Sequence, residues 1–227
     1  MSRLLRCVLP LCVSALCAWL MTGCGNESPT KFPPGAVPYR IYANDDYGFS
    51  IRFPKVWSLD YNNSGLAVQA TSPLENAADA YQESSGVIGV YMDYDRTLED
   101  YHLRNKGALA TVYNSYNFLI KGEGDTRIDG RDAKVLEFTY TSGSTTIYNQ
   151  EFEVVSGDRA YVVLNISTTD NFARFRDLFA EIGHSLTISY DDSTDEQSRK
   201  NRSIPAETTP SVKAALAAGN GSVVQPQ

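Results

Sequence analysis

Three short turn sequences in the second half of the chain constrain its fold more than any other feature. They are Asp129-Gly130, Ser142-Gly143-Ser144 and Gly157-Asp158, and each lies between two runs in which apolar and polar residues alternate. Alternating runs joined by such turn residues are typical of β-hairpins. The pattern predicts four consecutive strands, over residues 117–126, 133–141, 145–155 and 160–168. Consecutive hairpins pair in antiparallel fashion, so we expect an antiparallel meander here.

Two other segments have helical rather than alternating spacing. The first follows Thr97, a predicted N-cap, and has Glu99 and Asp100 in its first turn, where the helix dipole favours negative charge. Its stripe is Leu98, Tyr101, Asn105, Leu109, Val112 and Tyr116. The second, over residues 170–182, has the stripe Phe172, Phe175, Leu178, Phe179 and Ile182. Because these stripes must be buried, we expect the helices to cover the sheet, as in an α+β sandwich.

The opening of the domain adds further strands. Residues 47–57 read Tyr-Gly-Phe-Ser-Ile-Arg-Phe-Pro-Lys-Val-Trp, in which Phe49, Ile51 and Phe53 share one face of a strand that Pro54 ends. Trp57 is expected to seal one end of the sandwich. Extended segments are also predicted over residues 66–71, 87–94 and 185–190.

The sequence resembles the PsbP-like / DcrB-like superfamily. Four features carry the resemblance: this opening stretch, the central helix, the hairpin that carries Gly130, and the Phe-rich last helix that ends at His184-Ser185-Leu186. The resemblance covers about residues 45–188 and implies a single αβα sandwich with an antiparallel sheet. Many bacterial members are lipoproteins. The photosynthetic relatives are extrinsic accessory proteins of the oxygen-evolving photosystem, but their charged binding motifs are not found in this sequence.

The first 23 residues have the pattern of an export signal. Arg3 and Arg6 precede a mainly apolar run over residues 7–21, which is shorter than the roughly 20 residues of a membrane-spanning helix. The run ends at Met21-Thr22-Gly23-Cys24, which resembles a bacterial lipobox. We therefore predict cleavage before Cys24 and lipid on its thiol. The alternatives are a plain secretory signal and a short uncleaved anchor.

The remaining chain divides into three parts. Residues 24–38 are rich in Gly and Pro and are predicted to form a flexible tether, 39–190 form the α+β domain, and 191–227 form a disordered tail. Cys24 is followed directly by Gly25 and Asn26 rather than by an aspartate. This favours an outer-membrane anchor with the domain facing the periplasm. In a host with a single membrane, the domain would lie outside the cell.

Composition excludes several classes of function. The four cysteines are Cys7, Cys12, Cys17 and Cys24, so the mature domain can form no internal disulfide and no Cys-based metal site. A net charge of −7 disfavours nucleic-acid binding. No cofactor is predicted, and the expected partners are the membrane, through the lipid, and an envelope protein.

The sequence contains no recognisable catalytic motif. Neither a G-x-S-x-G elbow nor a G-x-x-x-x-G-K-[ST] loop occurs, and His102 and His184 are interpreted as packing or capping residues. Asp93 and Asp95, on either side of Tyr94, are the candidate surface-binding residues. An acidic loop of this kind could also hold calcium, although no EF-hand pattern is present and no metal site is predicted.

The sequence thus predicts a non-catalytic, membrane-tethered binding or assembly module. The alternative is an envelope enzyme of hydrolase type with an unrecognised acidic site.

Cys24→Ala is expected to abolish incorporation of a labelled fatty acid and to release the protein from the membrane fraction, because the thiol is the predicted site of acylation. Metabolic labelling followed by membrane fractionation measures both effects. Cys17→Ala is the matched control and should retain label. Equal labelling of wild type and Cys24→Ala would contradict the lipobox.

Overall fold

The computed structural model describes residues 37–61, 65–74, 81–92 and 97–189. The lipobox residues Met21, Thr22, Gly23 and Cys24, the candidate binding residues Asp93, Tyr94 and Asp95, and the tail over 191–227 lie outside the described residues.

In chain order the described elements are β1 (Tyr39–Asn44), β2 (Phe49–Pro54), β3 (Ser58–Asp60), β4 (Val68–Thr71), β5 (Ser84–Tyr91), α1 (Leu98–Val112), a short 3-10 helix (Asn114–Tyr116), β6 (Leu119–Ile128), β7 (Arg131–Ser142), β8 (Thr145–Ser156), β9 (Arg159–Thr168), α2 (Thr169–His184) and β10 (Thr187–Ile188). Among the described residues, no helix is both long enough and apolar enough to cross a bilayer.

The strands form two antiparallel sheets. The larger has the order β3-β4-β5-β9-β8-β7-β6, and the smaller has the order β1-β2-β10. The predicted α+β class with an antiparallel sheet and covering helices is therefore confirmed. The three predicted hairpins are confirmed as well, and their glycines Gly130, Gly143 and Gly157 have φ of 75°, 60° and 60°, which non-glycine residues rarely adopt.

Each face of the larger sheet has its own apolar core. One core lies between this sheet, the smaller sheet and α2, and it buries the whole predicted stripe of α2. Trp57 belongs to it, as predicted, with ring centroids 6.5 Å from Phe175 and 6.4 Å from Phe179. The other core lies on the α1 face and includes Leu109, Tyr113 and Phe138.

The structure corrects several sequence predictions. Strands β1 and β3 were not predicted. Strand β1 is an edge strand with Ile41 72% exposed, so its sequence lacks a clear buried face, and β3 is only three residues long, which is too short for an alternating pattern. The predicted stripe of α1 extends too far: the helix ends at Val112, and Tyr116 lies exposed in the 3-10 helix. Asn117 follows with φ of 53°, which stops the helical run. The strand predicted over 87–94 is described as far as Tyr91.

The beginning of α1 follows the sequence prediction. The Thr97 hydroxyl accepts a hydrogen bond from the Asp100 backbone N–H, and the Asp100 carboxylate accepts one from the Thr97 backbone N–H. This capping box satisfies two donors that a helix N-terminus otherwise leaves unpaired. The site described below depends on the helix that starts here.

Two helical glycines give a paired prediction. A Cβ at Gly183 would lie 2.5 Å from Cδ2 of the buried Phe152, whereas a Cβ at Gly107 meets no described atom within 4 Å. Gly183→Ala should lower the free energy of unfolding by roughly 1–3 kcal/mol because the core is overpacked. Gly107→Ala should raise it by roughly 0.5–1 kcal/mol because alanine is the better helix former. Urea denaturation of both variants tests this contrast, and a gain in stability for Gly183→Ala would contradict the packing.

Candidate functional site

Strand β8 carries three polar side chains on the face that lies under α1. Asn149, Glu151 and Glu153 alternate along the strand and are each fully buried. Their neighbours in register are apolar on β9: Ile166, Leu164 and Val162. Two carboxyl groups at such positions are unusual, because charged residues are almost never fully buried unless they are paired.

Helix α1 supplies the partners of these carboxyl groups. His102 Nδ1 lies 2.6 Å from Glu153 Oε2. The Asn105 side-chain amide nitrogen donates to Glu151 Oε2 at 2.6 Å and to Glu153 Oε1 at 2.7 Å. His102 and Asn105 are three residues apart, so both side chains project from the same face of the helix.

The network continues outward to strand β6 and the rim of the sheet. His102 Nε2 lies 3.1 Å from Glu123 Oε2, and Lys106 Nζ donates to both oxygens of the same carboxylate at 2.7 Å. Beside them, Lys134 of β7 is 2.7 Å from Glu99 of α1 and 3.0 Å from Asp125 of β6. Polar contacts therefore join α1 to three successive strands.

The groups of this network shift one another's protonation. The hydrogen bond to Glu153 raises the pKa of His102 against the opposing effect of burial, and Glu123 adds to the rise. Burial raises the pKa of Glu151 to about 8, and the negative charge of Glu153 acts in the same direction. The hydrogen bonds from Lys106 and His102 lower the pKa of Glu123. Contacts with Glu153 and Glu123 thus favour the protonated form of His102, and burial favours the neutral form of Glu151.

The centre of this network, formed by His102, Asn105, Glu151 and Glu153, is closed to solvent. His102, the most exposed of the four central side chains, is 3% exposed, and Asn105, Glu151 and Glu153 are more deeply buried. A general acid or base must come within hydrogen-bond distance of a substrate, which α1 prevents in this arrangement. Within the described ranges, no three His, Cys, Asp or Glu side chains are grouped so that they could hold a metal ion.

A second cluster lies at one end of the larger sheet and is open to solvent. Tyr91, the last residue of β5, is 46% exposed, and the Arg159 guanidinium carbon lies 4.8 Å from its ring centroid. The Tyr47 ring is 6.1 Å away, and Arg159 Nη1 donates to the Asp46 carbonyl oxygen at 3.1 Å. Gly89 permits this packing, because a Cβ there would overlap the Tyr47 ring. We call Tyr47, Tyr91 and Arg159 the sheet-end cluster.

The candidate residues Asp93, Tyr94 and Asp95 follow the sheet-end cluster directly in the chain, and their own placement is outside the described residues. The last residue before them, Met92, donates its backbone N–H to the Asp158 carbonyl oxygen at 2.7 Å. Sequence reasoning interpreted Gly157-Asp158 only as a turn and missed Arg159. The proximity of Arg159 to β5 has no local signal, because it arises from the pairing of β5 with β9.

The two histidines have different surroundings. His184 lies at the C-terminal end of α2, with Nδ1 2.7 Å from the Ala180 carbonyl oxygen and its ring edge-on to Phe152. This matches the predicted capping role. His102 is buried as predicted, but sequence reasoning missed the two carboxylates that flank it. They come from strands 21 and 51 residues further along the chain.

This chain is similar to several solved structures, including the following two. The solution structure of cyanobacterial PsbP (CyanoP) from Synechocystis sp. PCC 6803 matches with a TM-score of 0.54 and 16% identity, over 68% of this chain and 95% of that chain. The crystal structure of LpqN, involved in cell envelope biogenesis of Mycobacterium tuberculosis, matches with a TM-score of 0.51 and 16% identity, over 68% of this chain and 92% of that chain. No family model and no curated protein sequence matches.

Antiparallel sheets covered by two helices define the class of this domain, an α+β sandwich. Within that class the chain has the PsbP-like fold. At 16% identity the likeness concerns the fold alone.

His102→Leu is expected to lower the free energy of unfolding by roughly 3–5 kcal/mol, because it leaves the buried Glu153 without its charged partner. Lys106→Gln removes a more exposed partner of the same network and should cost less than about 1 kcal/mol. Chemical denaturation at pH 6.5 measures both changes. Similar losses of unfolding free energy for the two variants would show that the contribution of each side chain to stability does not depend on how deeply its contacts are buried.

Proposed function

We propose that this chain is a membrane-anchored bacterial lipoprotein whose PsbP-like domain acts as a non-catalytic binding or assembly module in the cell envelope. The observation that carries this proposal is the contrast between the two clusters. The titratable groups under α1 are sealed from solvent, whereas the sheet-end cluster presents an exposed aromatic ring. Tyrosine is enriched at binding interfaces, and carboxyl groups that are sealed from solvent cannot reach a substrate.

The anchor is the lipid on Cys24, with Met21, Thr22 and Gly23 as the cleavage motif. The proposed location is the outer membrane, with the domain facing the periplasm. The likeness to LpqN, which is described as involved in cell envelope biogenesis, supports a place in the envelope. A single acyl chain holds a protein only marginally, so the proposal requires the two or more chains that lipobox cysteines usually carry.

The proposed contact surface combines the sheet-end cluster with Asp93, Tyr94 and Asp95. Tyr91 offers a large ring with a polar tip, and such side chains are enriched in the centres of interfaces. Arg159 stacks on the inner side of this ring and fixes its position, which reduces the entropy lost on binding. The exposed Asp45 and Asp46 lie in the neighbouring β1–β2 turn. An envelope protein with a complementary surface is the proposed partner.

Affinity capture from native envelopes with the lipidated protein tests the proposal. Tyr91→Ala should reduce recovery of the partner at least about tenfold, which corresponds to the loss of one interface anchor. Tyr116→Ala is the matched control, because Tyr116 is 44% exposed, also touches one tyrosine ring, and lies outside the sheet-end cluster. Cys24→Ala should fold normally but lose the partner or capture less of it.

Equal capture by wild type and Tyr91→Ala would contradict the contact surface. If no protein is captured by any form while all remain folded, the binding-module proposal itself is wrong, and screening of small ligands and substrates becomes the next step.

A further inference from the structure

The two helices are attached to the larger sheet by different kinds of contact. Helix α2 buries Phe172, Phe175, Leu178, Phe179 and Ile182, all of them apolar, together with Gly183. The buried residues of α1 are Tyr101, His102, Asn105 and Leu109, so two of the four are polar. Titratable groups therefore lie under the middle of α1, whereas the buried Glu83 meets α2 at Asn171, near the start of that helix. The position of α1 should depend on protonation more strongly than the position of α2.

Charged groups face this contact from α1 and from the strands β6, β7 and β8. Strand β8 contributes Glu151 and Glu153, α1 contributes Glu99, His102 and Lys106, β6 contributes Glu123 and Asp125, and β7 contributes Lys134. Strand β9 contributes only Leu164 and Val162 opposite the two glutamates. The Tyr113 phenol at the end of α1 lies close enough for the Glu151 charge to raise its pKa further. No lysine or arginine among the described residues forms an ion pair with Glu151.

A single amide nitrogen, on Asn105, donates to both buried glutamates. Glu151 Oε1 has no hydrogen-bond partner among the described residues. When Glu151 ionises, its new charge therefore lies on a buried carboxylate beside Glu153, and among the described residues the Asn105 amide nitrogen is the donor that contacts it. Separation of α1 from the sheet would hydrate both carboxylates and remove this cost.

We propose that α1 is a pH-sensitive cover on the PsbP-like sheet, held closed at neutral pH by His102 and Asn105 and released as the pH becomes alkaline. The open form would expose the apolar face of the sheet that includes Leu136, Phe138 and Leu164. Helix α2 and the core beneath it would remain in place.

The direction of the effect follows from linkage. The pKa of Glu151 is raised in the closed form to about 8 from its ordinary value of 4.5, so the closed form binds this proton more tightly than the open form does. Its stability therefore falls as the pH rises from about 4.5 to about 8. The pKa of His102 is also raised, so the stabilisation from its charge is complete below 6.5 and is lost as the pH rises through the folded-state value. Both groups favour opening at alkaline pH.

Hydrogen exchange of the full chain in detergent, followed by mass spectrometry from pH 6 to pH 9, tests the proposal. Rates are converted to protection factors, which removes the intrinsic base catalysis of exchange. We expect the protection of peptides from α1 to fall at least about tenfold over this range, while the protection of α2 stays constant. Constant protection of α1, or an equal fall in both helices, would overturn the proposal.

Two variants identify the group that is responsible. Glu151→Gln keeps an oxygen for Asn105 but stays neutral, so the fall in the protection of α1 between pH 6 and pH 9 should become clearly smaller than in the wild type, and the remaining fall should come from His102. Glu83→Gln is the matched control: Glu83 is also fully buried, but it contacts Asn171 of α2, and its variant should retain the pH dependence of α1. An unchanged profile in Glu151→Gln would rule out Glu151 as the sensor. The comparison of α1 with α2 in the wild type needs no variant, so it is decisive even if a substitution disturbs folding.

Discussion

Strand β8 is covered on both faces, and this burial determines what the elements around it must supply. Residues 149–154 are all buried, although four of the six have polar or charged side chains. On one face, Phe152 and Val154 pack against the core beneath α2. On the other face, Glu151 and Glu153 require donors that neither β7 nor β9 provides. Helix α1 supplies these donors through His102 and Asn105. Without these two side chains, the buried carboxyl groups would lack hydrogen-bond donors from the helix.

The sequence predicted best the elements whose signal is local. The four strands of the meander and helix α2 were found because turn glycines and a stripe of five apolar residues are complete within a short window. Strand β1 was missed because an edge strand with one half-exposed face carries a weak pattern, and its pairing with β2 depends on a separate sheet. The end of α1 was missed because Tyr116 continues the helical spacing, while the left-handed backbone at Asn117 stops the helix.

The two clusters were harder to predict because they depend on contacts between residues that are distant in the sequence. The alternation in β8 correctly indicated a strand, but alternating glutamates normally indicate a face exposed to water. Only the tertiary arrangement shows that α1 covers this face and that His102 meets carboxylates from two different strands. Similarly, Tyr91 and Arg159 are neighbours only because β5 pairs with β9. A single sequence does not contain these pairings, whereas the residues that predict the lipobox are contiguous in it.

The proposed cover and the proposed contact surface are connected through the chain. Met92, at the end of β5, is bonded to the β8–β9 turn, and Thr97 is fixed by the capping box of α1. The candidate binding residues Asp93, Tyr94 and Asp95 lie between these two points in the sequence. One end of that segment therefore adjoins the sheet, which apolar packing holds, and the other end adjoins a helix whose contacts with the sheet include His102 and Asn105. In the proposed open form Thr97 would move while Tyr91 and Arg159 stay in place, so the distance between Met92 and Thr97 would depend on the charge on Glu151. Coupling of this kind requires no contact between the two clusters, because Met92 and Thr97 are only five positions apart in the chain.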